Sequence, residues 1–87
     1  MGVLPMTELR SIPTIEANME EHLIRLGYST LDSLTGQDPE EMYERDVQLH
    51  GGHLDRCVVY VYRLAVYYAE NRHNLDPDKC RWWAWKD

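Results

Sequence analysis

The sequence contains no phenylalanine, although it has three tryptophans and six tyrosines among its 87 residues. Its large aromatic side chains therefore all carry a polar atom, which needs either a hydrogen-bond partner or contact with solvent. We expect them to pack near the surface of a small core, since a chain of this length buries only roughly 60–65% of its unfolded surface. The length predicts one domain over residues 1–87.

Basic residues are scarce, with nine Lys and Arg against 15 Asp and Glu and a formal net charge of −6. Nucleic acids and acidic membranes attract proteins through Lys and Arg, so this charge argues against indiscriminate attachment to either. The deficit lies in residues 1–56, which hold eleven acids and four bases, whereas residues 57–87 hold four acids and five bases. Any anion-binding surface is therefore expected around the second half.

Cysteine is limited to Cys57 and Cys80, and nothing in the sequence indicates an oxidising compartment, so free thiols are expected. The chain has no stretch approaching the roughly 18 apolar residues of a membrane span. Its first segment, MGVLPM, lacks the basic start and the apolar run of a secretion signal. We expect no membrane association and a cytoplasmic protein.

The first third of the chain has the pattern of a short helix, a turn and an amphipathic helix. Thr7 is the predicted N-cap of the short helix, which must end before Pro13 because proline disfavours helical geometry in the preceding residue. Gly27 is the predicted C-terminal cap of the second helix. Residues at helical spacing predict its inward face, and charged residues its outward face. The inward set is Ile15, Met19, His22, Leu23 and Leu26, and the outward set is Glu16, Glu20, Glu21 and Arg25.

The rest of the sequence predicts further helices, the first being a short one capped by Ser29 or Thr30. Asp38 and Pro39 open a helix to His50, whose inward side is Met42, Tyr43, Val47 and either Leu49 or His50. The longest helix is predicted from Leu54 to about Asn71, and Asp76-Pro77 opens a last turn. The predicted fold class is all-α, a compact bundle of about five helices, with the tryptophan-rich segment 76–87 packed on it. The apolar stripe of the longest helix is Leu54, Cys57, Val58, Val61, Leu64, Ala65 and Tyr68.

Three segments carry a resemblance to a known family: LRSIPTIEANMEEHLIRLGYSTLDSL, LHGGHLDRCVVYVYRLAVYYAEN and DPDKCRWWAWKD. They resemble small bacterial helix-hairpin-helix proteins labelled as mitomycin-resistance or pathogenicity-locus proteins, over nearly the whole chain. The resemblance implies a compact all-α fold containing helix-hairpin-helix elements. The first turn in that family is usually Pro-Gly-hydrophobic-Gly, whose glycines let backbone N–H groups approach a phosphate. Here that turn is Pro13, Thr14, Ile15 and Glu16, so both glycine positions carry side chains, and one of them is an acid that would repel a phosphate.

A second turn between helices does contain glycines, and it is the candidate nucleic-acid site. The backbone N–H groups of Gly52, His53 and Leu54 are expected near the N-terminus of the longest helix, with Arg56 and Arg63 assisting. In the other interpretation Gly51 is only a helix C-terminal cap. The candidate phosphate-binding set is Gly51, Gly52, His53, Arg56 and Arg63.

Aromatic residues in the second half form a candidate partner surface, although packing against the core explains them as well. The set is Tyr60, Tyr67, Trp82, Trp83 and Trp85. His50, His53, Cys57 and Cys80 have side chains able to bind zinc, but their spacing matches no zinc signature, so no metal or cofactor is predicted. No orienting third group for a Cys-His nucleophile can be identified, and an enzyme is not expected.

These features favour a non-enzymatic helix-hairpin-helix binding protein that contacts nucleic-acid backbone without sequence specificity. The alternative is a protein-interaction or oligomerisation module that uses an exposed Tyr and Trp surface. The resemblance favours the first function, and the acidic net charge favours the second.

Overall fold

The computed structural model describes residues 7–87, and every regular element within that range is helical. Helix α1 spans Ala17–Arg25, α2 spans Pro39–Leu49 and α3 spans Cys57–Glu70. The all-α class is confirmed, but the count of about five helices is wrong, because the remaining elements are single 3-10 turns. Each of these turns contains only three or four residues, which are too few for a stable α-helix. The 3-10 turns are Glu8–Ser11, Asp32–Leu34, Pro77–Lys79 and Trp82–Trp85.

Side-chain caps fix where the predicted elements begin. The hydroxyl of Thr7 accepts a hydrogen bond from the amide of Leu9 at 3.2 Å. The carboxylate of Asp38 accepts one from the amide of Glu40 at 2.9 Å, and Asp76 caps the Pro77–Lys79 turn in the same way. These bonds satisfy amides that have no partner inside the first turn of a helix.

Helix α1 is closed by Gly27, as predicted, and the φ of this residue, +99°, lies in the left-handed region that favours glycine. The amide of Tyr28 then bonds to the carbonyl of Leu23 at 2.9 Å, which closes the last turn.

Helix α3 is the centre of the core and contributes more buried residues than any other element. It begins at Cys57, three residues later than predicted, because the carboxylate of Asp55 accepts a hydrogen bond from the Cys57 amide at 3.0 Å. The carbonyl of Leu54 instead accepts one from the hydroxyl of Tyr43 at 2.7 Å. The largest fully buried apolar side chains come from α3 and from the elements that precede it in the chain: Leu9, Ile12, Leu23, Leu34, Met42, Val59, Tyr62 and Leu64.

Glu20 departs from the predicted arrangement of α1, because this outward-assigned residue is only 5% exposed. Its carboxylate accepts hydrogen bonds from the amide and the hydroxyl of Thr7, at 2.7 and 2.6 Å, and lies 3.5 Å from the guanidinium of Arg10. Burial opposes its ionisation, but these contacts together outweigh burial and lower the pKa of Glu20. The acid thus joins α1 to the first 3-10 turn.

The radius of gyration is 12.3 Å, close to the about 12 Å expected for a compact chain of this length. Within residues 7–87 no helix is long and apolar enough to cross a membrane. The expectations concerning MGVLPM, and the start of the predicted 1–87 domain, lie outside the described residues.

Candidate functional site

The Gly51-Gly52 turn closes the end of α2. The φ angles of Gly51 and Gly52 are +68° and +96°, both in the left-handed region. The Gly51 amide donates to the carbonyl of Gln48 at 3.3 Å, and the Gly52 amide donates to that of Val47 at 2.9 Å. These two hydrogen bonds together are the pattern of a Schellman cap. Both glycine amides are therefore already used by the helix that precedes them.

The first amide of α3 also has a partner within the chain, because it donates a hydrogen bond to the Asp55 carboxylate. A carboxylate at a helix N-terminus stabilises the positive end of the helix dipole and competes there with any other anion. His53 lies exposed in the intervening turn. The amides of His53 and Leu54 have no hydrogen-bond acceptor within the described part of the chain.

Arg56 caps the start of α3 and Arg63 lies two turns further along it, and both are held by the same two acids. Arg56 binds both carboxylate oxygens of Glu40, at 3.1 and 2.8 Å, and donates from Nε to Asp87 at 3.0 Å. Arg63 donates to Glu40 at 3.0 Å, to Asp87 at 2.8 Å and to the carbonyl of Trp85 at 2.6 Å. Two positive and two negative charges thus form one network that joins α2, α3 and the C-terminal segment.

The network shifts the pKa of each of its members. Hydrogen bonds from Arg56 and Arg63 lower the pKa of Asp87 to about 2, and the bond from Arg56 is the largest cause of a lowered pKa at Glu40. The bond to Glu40 is the largest cause of the raised pKa of Arg56, and the bond to Asp87 has the same effect on Arg63. The charged forms are mutually stabilised, so a phosphate would have to displace a carboxylate from either arginine.

The turn before α1, at residues 13–16, contains a backbone conformation that favours glycine. Thr14 has a φ of +62°, and within the described chain it is the one residue other than glycine in the left-handed region. Ile15 is buried, whereas Glu16 is exposed and begins α1 without a side-chain hydrogen bond to the first turn. The hydroxyl of Thr14 accepts from the amide of Trp82 at 3.3 Å. Thr14 therefore joins this turn to the C-terminal tryptophan segment.

Two of the three tryptophans pack partly buried against the core, and Trp83 remains 47% exposed. The indole N–H of Trp85 donates to the carbonyl of Lys79 at 2.9 Å, and its ring lies 5.4 Å from that of Tyr67. Trp82 and Trp83 meet edge to face at 5.6 Å. Tyr60 is half-buried, with the guanidinium of Arg63 5.6 Å from its ring centre. The aromatic set is thus continuous with the network of Arg56 and Arg63.

The zinc-capable residues considered from the sequence are not brought together. Within residues 7–87 the one cluster of three potential ligands close enough for a common ion is His22, Asp46 and His50, so His53 is outside it. Cys57 and Cys80 are free thiols. Burial is the largest cause of a raised pKa at Cys57, and the adjacent Asp55 raises it further.

The cluster itself centres on the fully buried carboxylate of Asp46. Nδ1 of His22 lies 2.7 Å from Oδ2 of Asp46, and Nδ1 of His50 lies 3.0 Å from Oδ1. The hydroxyl of Tyr62 also donates to Oδ2. The two imidazole rings are stacked, with their centres 5.0 Å apart and their planes 12° from parallel.

The sequence patterns placed His22 on an inward face and gave His50 as one of two alternatives for another, but they did not connect the two residues. The pairing of Asp46 with His50 could have been predicted, because Asp46 lies one turn before His50 on the same face of α2. The roles of Glu40 and Asp87 had no comparable signal, since both contacts join residues far apart in the chain.

The described residues form a small all-α domain in which polar side chains connect α1, α2 and α3 and an aromatic segment packs against α3. The chain belongs to the family described as Pathogenicity locus, which matches residues 5–87. The pathogenicity-locus part of the resemblance is thereby confirmed. No curated protein and no solved structure matches the chain.

Proposed function

We propose that this protein is a non-enzymatic protein-interaction module whose contact surface is the C-terminal segment 76–87. The observation that carries the proposal is the exposure of Trp83, which keeps 47% of its surface in contact with solvent. Tryptophan contributes more binding energy per residue in protein interfaces than most side chains do. An exposed tryptophan on a small acidic domain therefore favours a protein partner.

The segment that carries Trp83 is anchored on both sides of this residue. On one side, Trp82 is bonded to Thr14 and partly buried against the core. On the other, Trp85 is held at its indole by Lys79 and at its carbonyl by Arg63. Binding by a segment that is already ordered loses less conformational entropy than binding by a mobile one. The segment is accordingly suited to presenting one aromatic side chain.

The charges beside Trp83 define the chemistry of its partner. Arg81 is exposed, and the ammonium of Lys86 lies 5.9 Å from the centre of the Trp82 ring. The nearest acid in the chain after it, Asp87, is engaged by Arg56 and Arg63. The expected partner is a protein with an apolar pocket for an indole and acidic residues around the rim of that pocket.

Photo-crosslinking inside cells tests this surface. A benzophenone side chain at position 84, an exposed position beside Trp83, should give a discrete crosslinked product that excess wild-type protein removes and excess Trp83→Ala protein does not. The same side chain at position 44 is the control, because Glu44 is also exposed but lies on α2. Equal products at both positions, or equal competition by Trp83→Ala, would contradict the proposal. Sedimentation velocity of the pure protein shows whether the partner is a second copy of this chain.

A second function, contact with nucleic-acid backbone, is supported by the free amides of His53 and Leu54 beside Arg56. The left-handed backbone of Thr14 supports the related proposal that the first hairpin is a helix-hairpin-helix element whose glycine has been replaced. Against this function, Glu40 and Asp87 neutralise Arg56 and Arg63. Protein interaction is therefore the better supported of the two.

Fluorescence anisotropy with labelled duplex, single-stranded and branched DNA tests the second function at low and near-physiological salt. If the turn contacts phosphate, wild-type protein should bind at low salt, His53→Glu should weaken binding and Asp87→Asn should strengthen it by releasing the arginines. His73→Glu is the matched control, since His73 is an exposed histidine beyond the end of α3. No binding by wild type or Asp87→Asn at low salt would remove the nucleic-acid function.

A further inference from the structure

We propose that His22, Asp46 and His50 form a binding site for a divalent transition-metal ion, with zinc the best chemical match. Each of the three residues offers one ligand atom, and these atoms all lie within 4.8 Å of one another. His22 comes from α1, Asp46 from the last turn of α2, and His50 is the residue that caps α2. One ion would therefore join the ends of two helices.

The strongest evidence is an oxygen atom of Asp46 that has no hydrogen bond. Oδ1 is fully enclosed and lacks a hydrogen-bond partner within the described chain, although Oδ2 accepts from Tyr62 and lies 2.7 Å from His22. Leaving a buried carboxylate oxygen unbonded is costly, and such atoms in native proteins need an explanation, which an ion can supply. The Asp46 carboxylate therefore has one oxygen available as a ligand.

The position of His50 fits a ligand better than a hydrogen-bond donor to that oxygen. Its Nδ1 lies 3.0 Å from Oδ1 but is aligned with the backbone carbonyl of Asp46, also at 3.0 Å. Two atoms each about 2.1 Å from a common ion stand about 3 to 3.5 Å apart, which matches the separation of Nδ1 and Oδ1. Losing the bond from Nδ1 would leave the carbonyl satisfied, because the His50 amide also donates to it at 3.1 Å.

Tyr62 is not one of the ligands, but it orients Asp46, which is. The Tyr62 hydroxyl donates a hydrogen bond to Oδ2, and both side chains are fully buried. Hydrogen bonds of this kind fix metal-binding carboxylates in position.

The ligand types select the class of ion. Two imidazoles and one carboxylate suit zinc, cobalt or nickel, whereas magnesium and calcium prefer a set made of oxygens. The side chain of His50 is 28% exposed and that of His22 is 12% exposed, so solvent reaches the cluster on the histidine side. A water molecule there would complete the four ligands that zinc prefers.

Isothermal titration with Zn²⁺ on the purified, chelator-treated full chain tests the site. We expect one ion per chain. His22→Gln and His50→Gln should each lower the Zn²⁺ affinity by more than the factor of about 10 to 100 that is typical when a residue outside the ligand set is changed. The chain provides matched controls in its two exposed histidines, so His53→Gln and His73→Gln should bind like wild type. Far-ultraviolet circular dichroism without metal establishes that each variant is folded.

Two further measurements distinguish this site from other metal binding. Zn²⁺ should raise the melting temperature of wild type and of the two controls, and leave that of His50→Gln unchanged. Co²⁺ should give visible ligand-field absorption without a thiolate charge-transfer band, since Cys57 and Cys80 are outside the cluster. The proposal is overturned by absence of stoichiometric binding, by a thiolate band, or by equal affinity in His22→Gln, His50→Gln and the controls.

Discussion

The hydroxyl of Tyr62 on α3 donates a hydrogen bond to the carboxylate of Asp46 on α2, and neither side chain is accessible to solvent. A buried carboxylate needs donors, because taking a charge out of water is costly unless other polar groups replace the water. Tyr62 is such a donor, placed in the middle of the apolar core. The contact thus links the packing of α2 on α3 to the positions of His22 and His50, which lie beside the same carboxylate.

Tyr62→Phe should lower the free energy of unfolding by about 1 to 3 kcal/mol, because the Asp46 carboxylate then loses a donor that water cannot replace. Urea denaturation of wild type and variant measures this difference. Tyr68→Phe is the control on the same helix, since the Tyr68 hydroxyl makes no hydrogen bond within residues 7–87. A double-mutant cycle with Asp46→Asn should show coupling, whereas additive effects would mean that the two side chains do not interact.

Much of the helical framework could be predicted from the sequence, because it follows from local rules. The caps at Thr7, Asp38 and Asp76, and the glycine stop at Gly27, depend only on neighbouring residues. Where the chain allows only one turn, the same rules predict an interruption but do not separate a short α-helix from a 3-10 turn.

The polar interior could not be predicted in the same way. Asp46 and Glu20 can be buried because they bond to polar groups, and these groups come from distant parts of the sequence. Hydrophobic periodicity does not detect such pairs, since it assigns acids to the solvent side. The turn at Gly51-Gly52 was ambiguous for a different reason. A cap and a phosphate site use the same residue types, and only the hydrogen bonds to Val47 and Gln48 separate them.

Asp87→Asn should reduce stability at neutral pH and remove part of the loss of stability in acid. The pKa of Asp87 is lowered from 3.8 to about 2 in the folded protein, so its ionised form favours folding. That contribution is fully present above the unfolded value and is lost as the pH falls from about 4 through about 2. Melting temperatures from pH 6 to pH 2 should therefore differ between wild type and variant at the upper end and converge at the lower end.

Asp78→Asn provides the comparison for that measurement. Asp78 is an exposed acid of the same segment and makes no ion pair within the described residues. Its melting curve should follow wild type across the whole range. A constant difference between wild type and Asp87→Asn down to pH 2 would contradict the assignment of the acid-sensitive contribution to Asp87.

Thr14→Gly should stabilise the protein by up to about 1 kcal/mol. A side chain in the left-handed region costs roughly 1–2 kcal/mol, which glycine avoids, although glycine adds about 0.4–1 kcal/mol of entropy to the unfolded chain. The lost bond from the Trp82 amide to the Thr14 hydroxyl is exposed and can be replaced by water. Thr35→Gly is the control and should destabilise, because Thr35 has an ordinary φ of −64°. Equal destabilisation by both variants in urea would show that the Thr14 backbone is not strained.

Asp55→Asn should make Cys57 more reactive without loss of the helix cap. Burial is the largest cause of the raised pKa of the Cys57 thiol, and the Asp55 carboxylate adds to it by disfavouring a second negative charge. Asparagine removes that charge but still offers an oxygen to the Cys57 amide, as asparagine does at other helix N-termini. The thiol should therefore ionise at lower pH, and its alkylation at a fixed pH below the midpoint should be faster.

Iodoacetamide labelling over a range of pH, in a Cys80→Ser background, isolates the Cys57 thiol. Asp38→Asn is the matched control, because Asp38 caps α2 in the same way but belongs to another helix. Only the Asp55 variant should move the midpoint downward. An unchanged midpoint in Asp55→Asn would assign the raised pKa to burial alone, and faster labelling in both variants would indicate a general loosening of helix ends in place of a charge effect.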